Sequence, residues 1–309
     1  MRHLLIILSI SLFSFLNGQI IDITGDKITI REFKSKKALF VIDWGKTYFQ
    51  KSKIRSKEKL GSYNISFKKG KPKSGLKIIK HNKQSIIWRN GDLEVQIQLK
   101  NIDHKKIKLT ISSNQDYTHW HIPFIRNPQE EIYGGGIQFS EYSHLNKTII
   151  NLSQENGIGR GGGSISKWTS LAGVKGESFA TYCPLPMFTT NSDRSYSWNE
   201  YAYSEVKFDN NFINFDIFDK EVSFTLGYDI SMHEIHSINN PFPYKLPDWS
   251  LGTILGAQGG SKNVLDKLNA LINADVNVKA LWIQDWVGKQ PTKFGSRLNW
   301  TWQLDRDYY

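Results

Sequence analysis

From Gln19 to about Tyr228 the apolar positions recur mostly every second residue, the period of a strand with one wet face. Leu93, Val95, Ile97 and Leu99 alternate with Glu94, Gln96, Gln98 and Lys100. Ile107, Leu109 and Ile111 repeat the pattern beyond a turn at Asp103-His104. Further short runs predict strands over 20–23, 27–30, 39–42, 64–67, 76–79, 85–88, 179–182, 213–218 and 222–227. Gly25-Asp26, Gly61-Ser62, Gly70-Lys71-Pro72 and Asn90-Gly91-Asp92 punctuate them as turns. Many short strands with almost no helical periodicity predict a large β-sandwich.

The period changes at Pro247. Leu246-Pro247-Asp248-Trp249 reads as an entry into a second domain, and Gly252–Gly256 as a short buried strand. Ser261 is a candidate N-cap. Beyond it Val264, Leu265, Leu268, Leu271 and Ile272 fall on one helical face, and Val276–Trp282 forms a further strand. Strand, helix and strand in this span predict a βαβ unit whose strands are parallel. The expected organisation is a leader at 1–18, a β-sandwich at 19–246 and the start of a (β/α)8 barrel at 247–309. A complete barrel needs roughly 250 residues, so the chain is expected to stop mid-domain.

With 309 residues, there is room for about two domains of roughly 150 residues. The 39% hydrophobic and 22% charged content fits a folded chain rather than a disordered or membrane-embedded one. Ten Trp raise the aromatic content, which ordinary β-cores also use. The net charge of +11 invites a polyanion reading. The cations are mostly Lys, spread over the first half in strands and turns, with no zinc-finger spacing and no RNA-binding aromatic signature. They read as a solvated face, and no nucleic-acid partner is expected. One cysteine, Cys183, forbids an intrachain disulfide and a thiolate metal cluster, and its apolar surroundings predict a buried thiol. Arg2-His3 followed by the apolar run Leu4–Leu16 is shorter than the ~20 residues of a membrane span. It reads as a signal peptide cut after Gly18, so a secreted or periplasmic location is expected.

Side chains at the C-terminal ends of barrel strands face the active site. Gln284, Asp285 and Trp286 occupy such an end and head a loop carrying Lys289, Lys293, Arg297, Trp300 and Trp302. The run Gln284-Asp285-Trp286-Val287-Gly288, followed by Thr292-Lys293-Phe294-Gly295-Ser296-Arg297 and Trp300, resembles the α-sulfoquinovosidases of glycoside hydrolase family 31. Tyr133–Ser140, Gln154–Arg160 and Leu246–Trp249 are similar to further stretches of that group, so the resemblance covers about residues 130 to 309. It implies a galactose-mutarotase-like β-sandwich leading into a catalytic barrel. The implied activity is retaining hydrolysis of α-glycosides of 6-sulfo-sugars, without cofactor or metal and without membrane insertion.

Carried over by the resemblance, Gln284, Arg297 and Trp300 bind the sulfonate, while Asp285 and Trp286 complete the substrate-binding set. The chemistry agrees. A sulfonate is a monoanion that only accepts hydrogen bonds; a guanidinium offers a planar fork of donors, an indole N–H only donates, and an amide adds one more. Retaining hydrolysis needs two carboxyls about 5 Å apart, and the family's positions for them have no counterpart in these residues, so no catalytic residue is assigned. Asp285 is read as a sugar-hydroxyl or supporting ligand, or else a structural carboxylate near Arg297. Ile137 stands where the group has Glu, and Leu185 where a polar residue is common. An α-glucosidase or α-xylosidase of the same family, and a non-catalytic carbohydrate-binding module, remain alternatives. His119 and His121 share one strand face without an evident third metal ligand, and Gly161-Gly162-Gly163 does not sit at a strand-to-helix junction, so neither reads as a site.

Overall fold

The computed structural model describes residues 19–32, 34, 36–59, 62–138, 141–155, 178–199, 201–230, 246–293, 295–298 and 301–309. The expected leader at 1–18, the Gly157–Arg160 and Gly161–Gly163 stretches and Trp300 lie outside them. The chain divides into two compact units, between Pro241 and Phe242.

The first unit is built of strands. In chain order they are β1 Gln19–Thr24, β2 Lys27–Glu32, β3 Ala38–Asp43, β4 Tyr48–Gln50, β5 Ser52–Lys59 and β6 Ser62–Lys69. Then come β7 Lys77–His81, β8 Ser85–Asn90, β9 Leu93–Asn101, β10 Lys106–Ser113, β11 His119–Ile125 and β12 Ile132–Gly136. The remainder are β13 Thr148–Asn151, β14 Pro184–Thr190, β15 Arg194–Trp198, β16 Tyr203–Phe208, β17 Phe212–Phe218 and β18 Val222–Tyr228. One sheet has the order β1-β2-β3-β11-β17-β16-β13, with β4 added to β11; the other has the order β12-β14-β15-β18-β10-β9-β8-β7. β5 and β6 form a separate two-stranded ribbon.

Alternation becomes burial directly. Val95, Ile97, Leu109 and Ile111 on one sheet and Ile30, Phe40, Phe124 and Phe215 on the other are fully buried in one cluster, the core of the sandwich. Phe215 is its hub, with ring centroids 5.5 Å from Phe124, 5.2 Å from Trp198 and 5.0 Å from Phe224. The charged groups that alternation forces inward are paired, while the buried Tyr196 hydroxyl has no partner among the described residues. Arg194 grips the buried carboxylate of Glu130, its Nε donating to Oε1 at 2.8 Å. Arg126 donates to the carbonyls of Asp209, Pro128 and Glu130. His119 and His121 do share a face, and both are satisfied by Asp216 Oδ1, at 2.8 and 3.1 Å; Gln50 lies 2.7 Å from the other ring nitrogen of His119. Burial pushes the Asp216 carboxyl up, but the two imidazole hydrogen bonds outweigh it and hold it well below the usual carboxylate range.

Two local expectations in this unit are corrected. Residues 179–182 are not a strand; the strand begins at Pro184, where pairing with β12 starts. Cys183 is exposed rather than buried, because its segment runs along the rim, where its carbonyl accepts the N–H of Ile137 at 2.9 Å. Gly136 explains the contact: φ is +87°, and a Cβ there would lie 2.1 Å from the Cys183 carbonyl oxygen. The glycine run therefore serves close packing at a bulge between Gly134 and Gly136. Ile137 is exposed at this rim, whereas Leu185 packs on Met187 and Ile230.

The second unit holds β19 Thr253–Ala257, α1 Gly260–Asn273, β20 Val278–Ile283, β21 Lys289–Thr292 and β22 Gly295–Leu298. β19 and β20 pair in parallel, as the strand–helix–strand pattern predicts. Ser261 is not the N-cap. Gly259 is, at φ +106°, a left-handed turn that disfavours a residue with a Cβ. Of the predicted apolar face, Val264 is buried and Leu268 and Leu271 are half-buried, but Leu265 and Ile272 are exposed. Among the described residues no helix is long and apolar enough to cross a membrane.

Truncating Phe215 to Ala should cost about 3–5 kcal/mol of stability, whereas Tyr201→Ala, at a side chain 93% exposed, should stay within about 0.5 kcal/mol. Denaturant midpoints of the two variants check this; similar losses would contradict the placement of the core.

Candidate functional site

Parallel pairing brings the C-terminal ends of β19 and β20 to the same level, with Ala257 opposite Ile283. The next residues along, Gln258 and Gln284, are therefore neighbours, and Gln258 Nε2 donates to Gln284 Oε1 at 2.7 Å. With its oxygen engaged, Gln284 keeps its own amide hydrogens to donate. Gln258 was not among the expected site residues. The signal was present, since it ends the first strand as Gln284 ends the second.

Asp285 is fully buried. Its Oδ2 accepts the N–H of Gly259 at 2.9 Å and lies 3.1 Å from Lys289 Nζ, while its Oδ1 accepts the Tyr309 hydroxyl. Burial pushes the carboxyl up, but the Tyr309 hydroxyl, the Gly259 N–H and the Lys289 ammonium together hold it below its ordinary range. The same contact works on its partners. Tyr309 is pushed up to about 12, by burial first and then by Asp285, and Lys289 is raised by its hydrogen bond to Asp285. Asp285 thus ties together the end of β20, the start of α1 and the start of β21. The ion-pair partner it finds is Lys289, not Arg297.

The segment from Val287 to Trp302 is not a plain loop. Gly288 turns the chain at φ +77°, where a Cβ would meet Asp305 Oδ2 at 2.2 Å. β21 and β22 then form a hairpin in which Gln290 faces Arg297 and Lys289 faces Leu298. The turn is pinned by the Thr292 hydroxyl donating to the Gly295 carbonyl at 2.6 Å. Trp286, half-buried, has its ring 6.2 Å from that of Trp302.

Gln258, Lys289, Ser296, Arg297 and Leu298 line one cavity of about 460 Å³. Of the expected residues, the structure brings Arg297 to this cavity and places Gln284 one hydrogen bond from its wall, through Gln258. Asp285 stands behind it, paired to Lys289. Among the described residues no carboxylate pairs with Arg297, and none forms a cluster of three metal-ligating side chains. A lysine answered by Asp285, a guanidinium that no described carboxylate pairs with, and the Gln258 amide border one open space.

No family model matches the chain. It is 27% identical over 234 residues to a sulfoquinovosidase of Escherichia coli, covering 71% of this chain and 31% of that protein. It is 28% identical over 218 residues to a sulfoquinovosidase of Agrobacterium fabrum, covering 67% of this chain and 32% of that protein. The chain thus spans about a third of the length of these relatives. Among solved structures, a family 31 sulfoquinovosidase from E. rectale, in complex with the aza-sugar inhibitor IFGSQ, superposes with a TM-score of 0.77 at 20% identity. That match covers 94% of this chain and 44% of the other, and it extends the likeness of fold across both units. The sequence is sulfoquinovosidase-like, as its motifs imply.

A carboxyl held below its ordinary pKa stabilises the fold above about pH 4, and that stabilisation is lost as the pH falls through its folded pKa. Asp285→Asn should therefore melt below the parent chain at neutral pH by about 1–3 kcal/mol, with the gap closing in acid. Melting curves across pH check it; a gap that is flat with pH would rule out an ionised Asp285.

Proposed function

We propose that the chain is part of a retaining α-glycoside hydrolase of family 31 that cleaves α-glycosides of 6-sulfo-sugars. In this reading β19, α1 and β20 open a (β/α)8 barrel, and the first unit is its galactose-mutarotase-like sandwich. Ile254, Leu265, Ile272, Leu281 and Trp282 are exposed on the strands and helix of the second unit, as expected of elements whose apolar sides are meant for neighbouring barrel segments. Gln284, Arg297 and Trp300 hold the sulfonate, Gln258 orients Gln284, and Trp286 borders the sugar. Asp285 acts as a positioning group that fixes Lys289 and the hairpin. No residue of these 309 is assigned as nucleophile or acid/base; those roles belong to two carboxyls about 5 Å apart elsewhere in the barrel.

The observation that carries the reading is Arg297, paired with no described carboxylate, in a cavity shared with Gln258. A neutral hydroxymethyl group there could not answer the guanidinium's charge, whereas a sulfonate offers it two acceptor oxygens. The names of the two curated relatives support the same substrate class.

In the enzyme with its complete barrel, Arg297→Ala should lower kcat/KM for a sulfoquinovoside by about 10²–10³, the loss of a charge-assisted, bidentate contact. Turnover of the neutral α-glucoside should stay within about threefold. Equal effects on both substrates would favour the α-glucosidase or α-xylosidase reading. Absence of hydrolysis with either would favour a sugar-binding module. We further propose export by the leader at 1–18 to the periplasm or exterior. The mature protein should then begin at Gln19 by N-terminal sequencing, and an intact Met1 on the exported protein would refute it.

A further inference from the structure

The ribbon of β5 and β6 plays no part in the anion cavity, and it carries a distribution of charge that the fold does not require. Its register pairs Ser52 with Lys69, Lys53 with Lys68, Ile54 with Phe67, Arg55 with Ser66, Ser56 with Ile65, Lys57 with Asn64 and Glu58 with Tyr63. Opposed residues share a face and successive residues change face. One face therefore carries Ile54, Ile65, Phe67 and Tyr63, and the other carries Lys53, Arg55, Lys57 and Lys68 with Asn64 and Ser66.

The apolar face meets the sandwich at Phe67, whereas Ile54 and Tyr63 on it stay exposed. Phe67 stacks on Phe218 with centroids 4.3 Å apart, and reaches Tyr203 at 5.6 Å. The root of the ribbon is anchored as well. Gly70 N–H donates to the Lys51 carbonyl at 2.7 Å, and Thr118 Oγ1 accepts the Ser52 N–H at 2.8 Å and donates to the Ser52 carbonyl at 2.7 Å. With one face and the root held, the cationic face is directed to solvent, and Lys53, Arg55, Lys57 and Lys68 are all exposed.

The face itself has no carboxylate, because Glu58 falls on the other side, across from Tyr63. Among the described residues no ion pair includes Lys53, Arg55, Lys57 or Lys68. Neighbours along β5 on this face are spaced at about 6.7 Å, and Lys53 stands directly opposite Lys68, an arrangement of like charges that weakens a strand pair. The face also has no aromatic ring on which a base or a sugar could stack. It reads the density of negative charge in a plane and little else.

We propose that this face docks the protein on an anionic membrane surface, with the ribbon lying flat on phosphate headgroups. Charge complementarity selects the partner, and the lack of a stacking ring on this face favours an array of headgroups over a chain of bases or sugars. Each near-surface cation strengthens such binding by roughly fivefold, and the effect weakens as salt shortens the screening length to about 8 Å at physiological ionic strength. This inference is independent of the glycosidase reading.

The test is co-sedimentation of the full chain with vesicles of phosphatidylcholine alone or mixed with phosphatidylglycerol. Binding should need phosphatidylglycerol and fall as salt is raised. The double variant Lys53→Glu, Lys57→Glu should bind at least about twentyfold less, with an unchanged circular-dichroism melt. A net-charge control, Lys100→Glu with Lys108→Glu on the exposed positions of β9 and β10, should stay within about threefold of the parent. Equal binding to neutral vesicles, an equal loss in the control, or full binding by the ribbon variant would each overturn the proposal. So would displacement from the vesicles by an acidic polysaccharide or duplex DNA at matched charge concentration.

Discussion

A carboxylate cut off from water is tolerable only if donors surround it, and around Asp285 they come from separate pieces of chain. The amide of Gly259 belongs to the start of α1, the ammonium of Lys289 to the first strand of the hairpin, and the hydroxyl of Tyr309 to a segment returning from beyond it. Losing any one leaves a buried charge short of a partner, so the three segments are held together by a common requirement. The cavity bordered by Gln258, Lys289 and Arg297 follows from that convergence. Asp285 shapes it without entering it.

This also explains why the charges around the cavity are unequal in effect. Lys289 is already answered by Asp285, whereas no described carboxylate answers Arg297. The two glutamines differ as well, since their bond engages an acceptor of Gln284 and a donor of Gln258.

The sandwich solves a different problem. Alternating strands bury one face each, and the aromatic cluster around Phe215 joins the two sheets. Among its inward polar residues, Arg194 is matched by Glu130 and the paired histidines by Asp216. The surface charge of the chain is not matched in this way along the outer face of the β5–β6 ribbon, where side-chain alternation sorts lysine and arginine from the apolar residues.

Much of this was legible in the residues themselves. The period of two is a property of neighbouring residues, so the strands of the sandwich could be read without knowing their partners, as could the parallel pairing of β19 and β20 from the helix between them. Gln284 and Arg297 stood out by their position and spacing. Tertiary structure decided whatever depended on segments distant in sequence. Gln258 mattered only once β19 lay beside β20. Asp285 chose Lys289 over Arg297 because the turn at Gly288 brings the lysine back. Gly259, not Ser261, capped the helix because the chain had to turn left-handed there, and Cys183 was exposed because its segment follows the sheet rim against Gly136. Local periodicity is written in adjacent side chains, whereas partners for buried polar groups are set by the packing of distant ones.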